Sequence, residues 1–215
     1  MSSGAERGRD LHPSDPQYRA YVGPPSDYDL IGGLQFTLLF QAGLREHHRL
    51  LDIGCGSLRG GRLFIPYLLP GKYTGVEPNE WLVMDGIAGE LGEAILEIKR
   101  PTFSTVDDFD LERLGRFDYV LAQSILSHAY ADLTAKALAG VRACLDDDGV
   151  FFATFVEGKL SEGAGWCYPG CTHYSRDDIA ALAKDAGLVV RHLDWPHPRQ
   201  RWFAAARSEA PLARL

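Results

Sequence analysis

Apolar residues along this chain fall into two periods that take turns. Short runs bounded by turn-forming residues read as strands: Arg49 to Ile53, Tyr73 to Glu77, Phe117 to Ala122 and Gly149 to Phe155, with a weaker one over Phe103 to Val106. Between them lie stretches of helical character: Leu58 to Leu68, Glu80 to Leu91, Asp132 to Cys144, and Asp177 to Ala186, the last with Ser175 in position to cap it. An earlier helix is predicted over Asp29 to Leu44, with Leu30, Leu34, Leu38 and Phe40 as its apolar positions. Leu188 to Leu193 and Arg201 to Ala206 read as a closing pair of strands. Such alternation predicts an α/β fold: a doubly wound, mostly parallel seven-stranded sheet with helices on both faces.

Two segments break the rhythm. The first dozen residues are polar and expected to be disordered. The following stretch mixes prolines with Tyr18, Tyr21 and Tyr28, and tyrosines are costly to leave in water, so an ordered arm or lid is expected there. This divides the chain into an arm, 1–28, and one domain, 29–215. The second break is the insertion from Glu157 to Tyr174, rich in glycine and aromatic residues. Loops of that length inside a domain are usually functional.

Charge narrows the partners. With 29 acidic against 22 basic residues the net charge is -7, and no run of Lys or Arg forms a phosphate-binding stripe. A nucleic-acid partner is therefore not expected. No apolar run is long enough to span a membrane, and the start MSSGAERGRD lacks the apolar core of a signal peptide, so a cytoplasmic protein is expected. The four cysteines, Cys55, Cys144, Cys167 and Cys171, do not make a zinc spacing and read as free thiols. No metal site is expected.

The segment that carries chemistry is LLDIGCGSLRGG, Leu50 to Gly61. A strand ends in an acid and a glycine turn, and a helix follows. Gly54 and Gly56 let a ligand approach the backbone with no Cβ in the way. The next strand ends at Glu77, whose carboxylate is placed to accept hydrogen bonds from two ribose hydroxyls. Asp107, Asp108 and Phe109 follow the third strand, where an acid meets an adenine amino group and an aromatic ring flanks the base; the choice between the two aspartates is open. Gln123 and Ser124 end the fourth strand. A dinucleotide-binding dehydrogenase would want glycine or alanine where Arg59 stands.

In these motifs the chain resembles the class I S-adenosylmethionine-dependent methyltransferase family, closely over Leu50 to Phe155 and loosely beyond. The resemblance implies a Rossmann-like fold and S-adenosyl-L-methionine as cofactor. It implies that Asp52, Gly54 and Gly56 face the methionine part, that Glu77 holds the ribose, and that Asp107, Asp108 and Phe109 flank adenine. Gln123 and Ser124 then lie beside the sulfonium. Cys55, Arg59, Pro78 and Asn79, in the same turns, complete the expected cofactor site. One departure is that Leu58 occupies the place where the family often has a third glycine.

The acceptor is expected above the ends of the fourth and fifth strands, among Tyr21, Tyr28, Trp166 and Tyr174. His128 or His173 is the candidate base, with no sequence argument to choose between them. The expected reaction is methylation of oxygen or nitrogen on a small molecule such as a natural product or a sugar unit, by a possible homodimer. A non-catalytic cofactor-binding protein, or a different S-adenosylmethionine reaction on the same fold, is the alternative.

Overall fold

The computed structural model describes residue 8 and residues 10–215. The expected disorder of the first dozen residues falls largely outside them. A short helix α1 (Tyr18–Tyr21) leads into α2 (Tyr28–Gln41). Then follow β1 (Leu50–Ile53), α3 (Gly61–Tyr67), β2 (Tyr73–Val76) and α4 (Glu80–Gly86), which runs on as a π turn over Ile87–Leu91. Next come α5 (Ala94–Lys99), β3 (Thr102–Ser104), β4 (Phe117–Ala122), α6 (Ala131–Cys144) and β5 (Leu145–Glu157). The chain ends with β6 (His173–Tyr174), α7 (Arg176–Asp185), β7 (Val189–Leu193), β8 (Arg201–Ala206) and α8 (Glu209–Leu212).

Seven strands lie in the order β3-β2-β1-β4-β5-β8-β7, and β6 adds an eighth by pairing with the end of β5. All neighbours are parallel except β8, which is antiparallel to both β5 and β7. The sheet is thus the expected one plus a two-residue strand. β6 was not legible as a strand because two residues carry no period; pairing Val156 with His173 and Glu157 with Tyr174 defines it.

The central strands are buried on both faces, which is why they read as continuous apolar runs. One core packs Leu51, Val120, Phe151 and Phe203 against α6 and α7; the other packs Leu50, Tyr119, Phe152 and Trp202 against α2 and α3. The Ser175 cap is present as a full capping box: its Oγ accepts from the Asp178 amide, and the Asp178 carboxylate accepts from the Ser175 amide. Every parallel strand points its carboxyl end to the same edge of the sheet. The crossing from β1 to β2 on one side and to β4 on the other opens a crevice at that edge.

Candidate functional site

A cavity of about 580 Å³ occupies this crevice. Its floor is the turn after β1. Gly54 has φ +67° and Gly56 has φ +53°, both in the left-handed region that side chains resist. A Cβ on Gly54 would stand 2.0 Å from Ile125 Cδ1, and one on Gly56 2.8 Å from Val22 Cγ1. Leu58, where a third glycine was absent from the sequence, itself adopts φ +62°. The backbone keeps the glycine-type conformation, and full burial of the Leu58 side chain in the core offsets the strain. Phe109 and Ser124, both lining the cavity, also have positive φ, at +60° and +63°.

Glu77 stands at the end of β2, 9% exposed. Its Oε1 accepts from the backbone and side-chain nitrogens of Asn79, each at 2.9 Å, and among the described residues its Oε2 accepts only from the Gly56 amide, at 3.2 Å. Pro78 and Asn79 continue this wall, and Asp107 and Phe109 form the next. Asp107 lines the cavity and Asp108 does not: Asp108 is exposed, and its carboxylate accepts from the Asp110 amide at 3.1 Å. Asp52 and Cys55 are buried beneath the floor rather than in the wall. Burial raises the Asp52 carboxyl to about 7, against the hydroxyl of Tyr73, which donates to it at 2.8 Å.

Opposite the floor, two segments distant in sequence meet. The insertion is stitched to the segment after β4: Cys167 N donates to the His128 carbonyl at 2.8 Å, Thr172 N to that of Ser127 at 2.8 Å, and Tyr130 N to that of Gly165 at 3.0 Å. This brings Trp166, Tyr168 and Cys171 to the cavity. Tyr168 donates its hydroxyl to the Tyr21 carbonyl, and the two rings lie 5.5 Å apart. The arm is fixed behind them. Tyr18 donates to Glu90 at 2.9 Å, Arg19 pairs with the same carboxylate, and the Arg19 guanidinium lies 4.5 Å over the Tyr28 ring.

Three further expected site residues lie away from the cavity. Tyr28 is fully buried in α2 and donates its hydroxyl to the Ser57 carbonyl at 2.7 Å. Tyr174 is buried beneath the insertion, its hydroxyl on the Ala129 carbonyl. Both tyrosines pack as core with a satisfied polar tip, so neither can present a surface to an acceptor. His173 is exposed on β6, its ring 3.4 Å from Ser161 Oγ and away from the cavity, because β5 pairing turns it to the outer side.

His128 does line the cavity. Its Nδ1 lies 2.6 Å from the Gly170 carbonyl oxygen, which can only accept. The proton therefore sits on Nδ1, and in the neutral ring Nε2 keeps its lone pair. Burial pushes the pKa of His128 below the usual histidine value.

The loop between β7 and β8 supplies His197, together with Arg199 and Gln200, which sequence reasoning did not assign. His197 Nε2 lies 3.1 Å from Gln123 Nε2, while Gln200 Nε2 donates to Ser124 Oγ at 2.8 Å. Proline neighbours on both sides of His197 hid any periodic signal there.

Residues 51–151 match the family model described as a methyltransferase domain. Over these residues, just under half of the chain, the sequence is thus similar to a methyltransferase domain. No curated protein sequence matches the chain significantly. Solved methyltransferase structures share the fold of this chain. Magnesium protoporphyrin IX methyltransferase from Synechocystis PCC 6803, solved with SAH, is 19% identical with a TM-score of 0.64, over 96% of this chain and 95% of that one. The DhpI–SAH complex is 15% identical with a TM-score of 0.65, over 94% and 92%. A S-adenosylmethionine-dependent methyltransferase from Clostridium acetobutylicum ATCC 824 is 14% identical with a TM-score of 0.61, over 90% and 95%. The cofactor of this family is S-adenosylmethionine. No helix of the described residues is long and apolar enough to cross a membrane.

Proposed function

We propose that this protein transfers the methyl group of S-adenosylmethionine to an oxygen or nitrogen of a small molecule. One observation carries the reading: His128, held by the Gly170 carbonyl, offers an unprotonated Nε2 in the same cavity as Glu77 and the glycine turn.

The residues fit the cofactor. Glu77 Oε2 holds a single long hydrogen bond, so lone pairs remain for ribose hydroxyls. Asp107 and Phe109 stand one strand further, where the purine of a ribose-bound nucleoside would reach. Gln123 and Ser124 end β4 opposite the glycine turn. The bound cofactor supplies an electrophilic methyl group on a sulfonium. Much of the rate then comes from holding the acceptor in line with it. His128 takes the proton from an acceptor hydroxyl as it attacks, a contribution of about 10²–10⁴-fold. Tyr21 and Tyr168 close the roof and keep water out.

No metal takes part in this scheme, because the end of β4 offers an amide and a hydroxyl rather than clustered carboxylates; EDTA should leave the rate unchanged. The test is release of S-adenosylhomocysteine from S-adenosylmethionine across a panel of phenols, amines and sugars. Acceptor-dependent release supports transfer. Tight cofactor binding with no release from any acceptor of the panel would favour a binding protein instead.

A further inference from the structure

The aromatic side chains at the mouth of the cavity continue outward onto the surface. The His128 ring lies 5.1 Å from that of Tyr168, Tyr168 lies 5.5 Å from Tyr21, and Tyr21 meets Trp81 edge to face at 5.2 Å. The first three line the cavity; Trp81, on α4, does not. Met84 stands one helical turn after Trp81, on the same face. Tyr168 is 41% exposed, Trp81 38% and Met84 57%. A single exposed apolar side chain is ordinary, but a continuous row running out of a cavity marks an interaction surface. Packing gives no reason for a tryptophan here: neither core includes Trp81 or Met84, and α4 is held by the buried Leu82 and Val83 instead.

Size and charge say what lies on this row. The cavity holds about 580 Å³. A nucleoside bearing an amino-acid chain is already a ligand of the size that such a volume encloses. With the cofactor in place, room remains for the reacting end of an acceptor beside His128 and for little more. The rest of a larger acceptor leaves past Tyr168. Glu80 and Asp85 are exposed on α4, and no Lys or Arg occurs between Lys72 and Lys99. An acidic tail or an anionic bilayer would meet like charge there, whereas an uncharged apolar tail meets a matching surface.

We infer that the row from Tyr168 through Tyr21 to Trp81 and Met84 is a subsite for an uncharged apolar tail on the acceptor, outside the cavity that takes its reacting end. The inference rests on the methyltransferase reading for what fills the cavity. The broad ring of Trp81 supplies the largest apolar area on the row, so it sets how much a tail gains.

Calorimetry with phenol, para-propylphenol and para-hexylphenol, on protein saturated with S-adenosylhomocysteine, tests it. Each methylene laid on the row should strengthen binding by roughly two- to fourfold, so para-hexylphenol should bind on the order of 100-fold more tightly than phenol. Trp81→Gln should remove at least about tenfold of that gain. Leu69→Gln, at a site 47% exposed in the link between α3 and β2, should leave the gain whole. Affinity that does not rise with chain length overturns the subsite. So does a gain that survives in Trp81→Gln, or one that is lost equally in Leu69→Gln. If S-adenosylhomocysteine does not bind while para-hexylphenol still shows a gain that depends on Trp81, the subsite stands and the methyltransferase reading falls. Two other occupants give their own signals. A dimer in sedimentation that dissociates in Trp81→Gln gives the row to a second copy of the chain, and retention on phosphatidylcholine vesicles through Trp81 gives it to a bilayer; either result overturns the tail subsite.

Discussion

The two sides of the cavity are assembled in opposite ways. The side built from the ends of β1 and β2 comes from one stretch, with Gly54, Gly56 and Glu77 inside 24 consecutive residues joined by a single helix. The opposite side joins four separate pieces: the arm at Tyr21, the segment at His128, the insertion at Tyr168 and the loop at His197. The first side holds its shape through backbone conformation and buried hydrogen bonds. The second depends on contacts between loops, such as Tyr168 on the Tyr21 carbonyl across 147 residues. A rigid, local side suits a ligand common to many enzymes. A side made of loops can change its chemistry without disturbing the sheet.

Substitutions should separate the two sides. The largest effect belongs to the loop side and to turnover alone. His128→Ala should lower kcat by about 10²–10⁴-fold with cofactor affinity nearly unchanged. In the unaltered protein the rate should fall as pH drops through the lowered pKa of His128, below about 6.5, and stay flat above it. A rate that falls toward high pH, or a near-normal kcat in the variant, removes His128 as the base.

Next comes the rigid side. Gly54→Ala forces a Cβ onto Ile125 at φ +67° and should destabilise the fold by about 2–4 kcal/mol, as well as weakening the cofactor. Denaturant unfolding measures it, and a cost under about 1 kcal/mol would show that the turn can relax. The smallest effect is expected at the roof. Tyr168→Phe loses one hydrogen bond to Tyr21, worth about 0.5–1.5 kcal/mol, and should raise KM for the acceptor several-fold at constant cofactor affinity. An unchanged KM would mean that ring packing alone holds the roof.

The same contrast explains what could be read beforehand. The mostly parallel sheet followed from alternating periods, and the glycine turn and Glu77 from their places at strand ends, whereas the choice between Asp107 and Asp108 stayed open until the cavity lining was known. Leu58 looked like a defect in the motif because identity, not conformation, is visible in a sequence; its φ shows the turn intact. Tyr28 and Tyr174 were misplaced because an amphipathic ring serves equally well in a wall or in the core, and only a partner for its hydroxyl decides. The partners of Arg59 were invisible as well, since its guanidinium donates to the Val22 carbonyl and to Gln123 Oε1, 37 and 64 residues away along the chain.

The central claim is that the local side of the cavity is built for S-adenosylmethionine. Isothermal titration of S-adenosylhomocysteine into the unaltered protein and into Glu77→Ala tests it most directly, with NAD as the control. The carboxylate contributes charge-assisted hydrogen bonds of about 1.5–3 kcal/mol each, so its removal should weaken binding at least about tenfold while NAD gives no heat. No heat with S-adenosylhomocysteine together with tight NAD binding, or equal affinity of both proteins for S-adenosylhomocysteine, would contradict it.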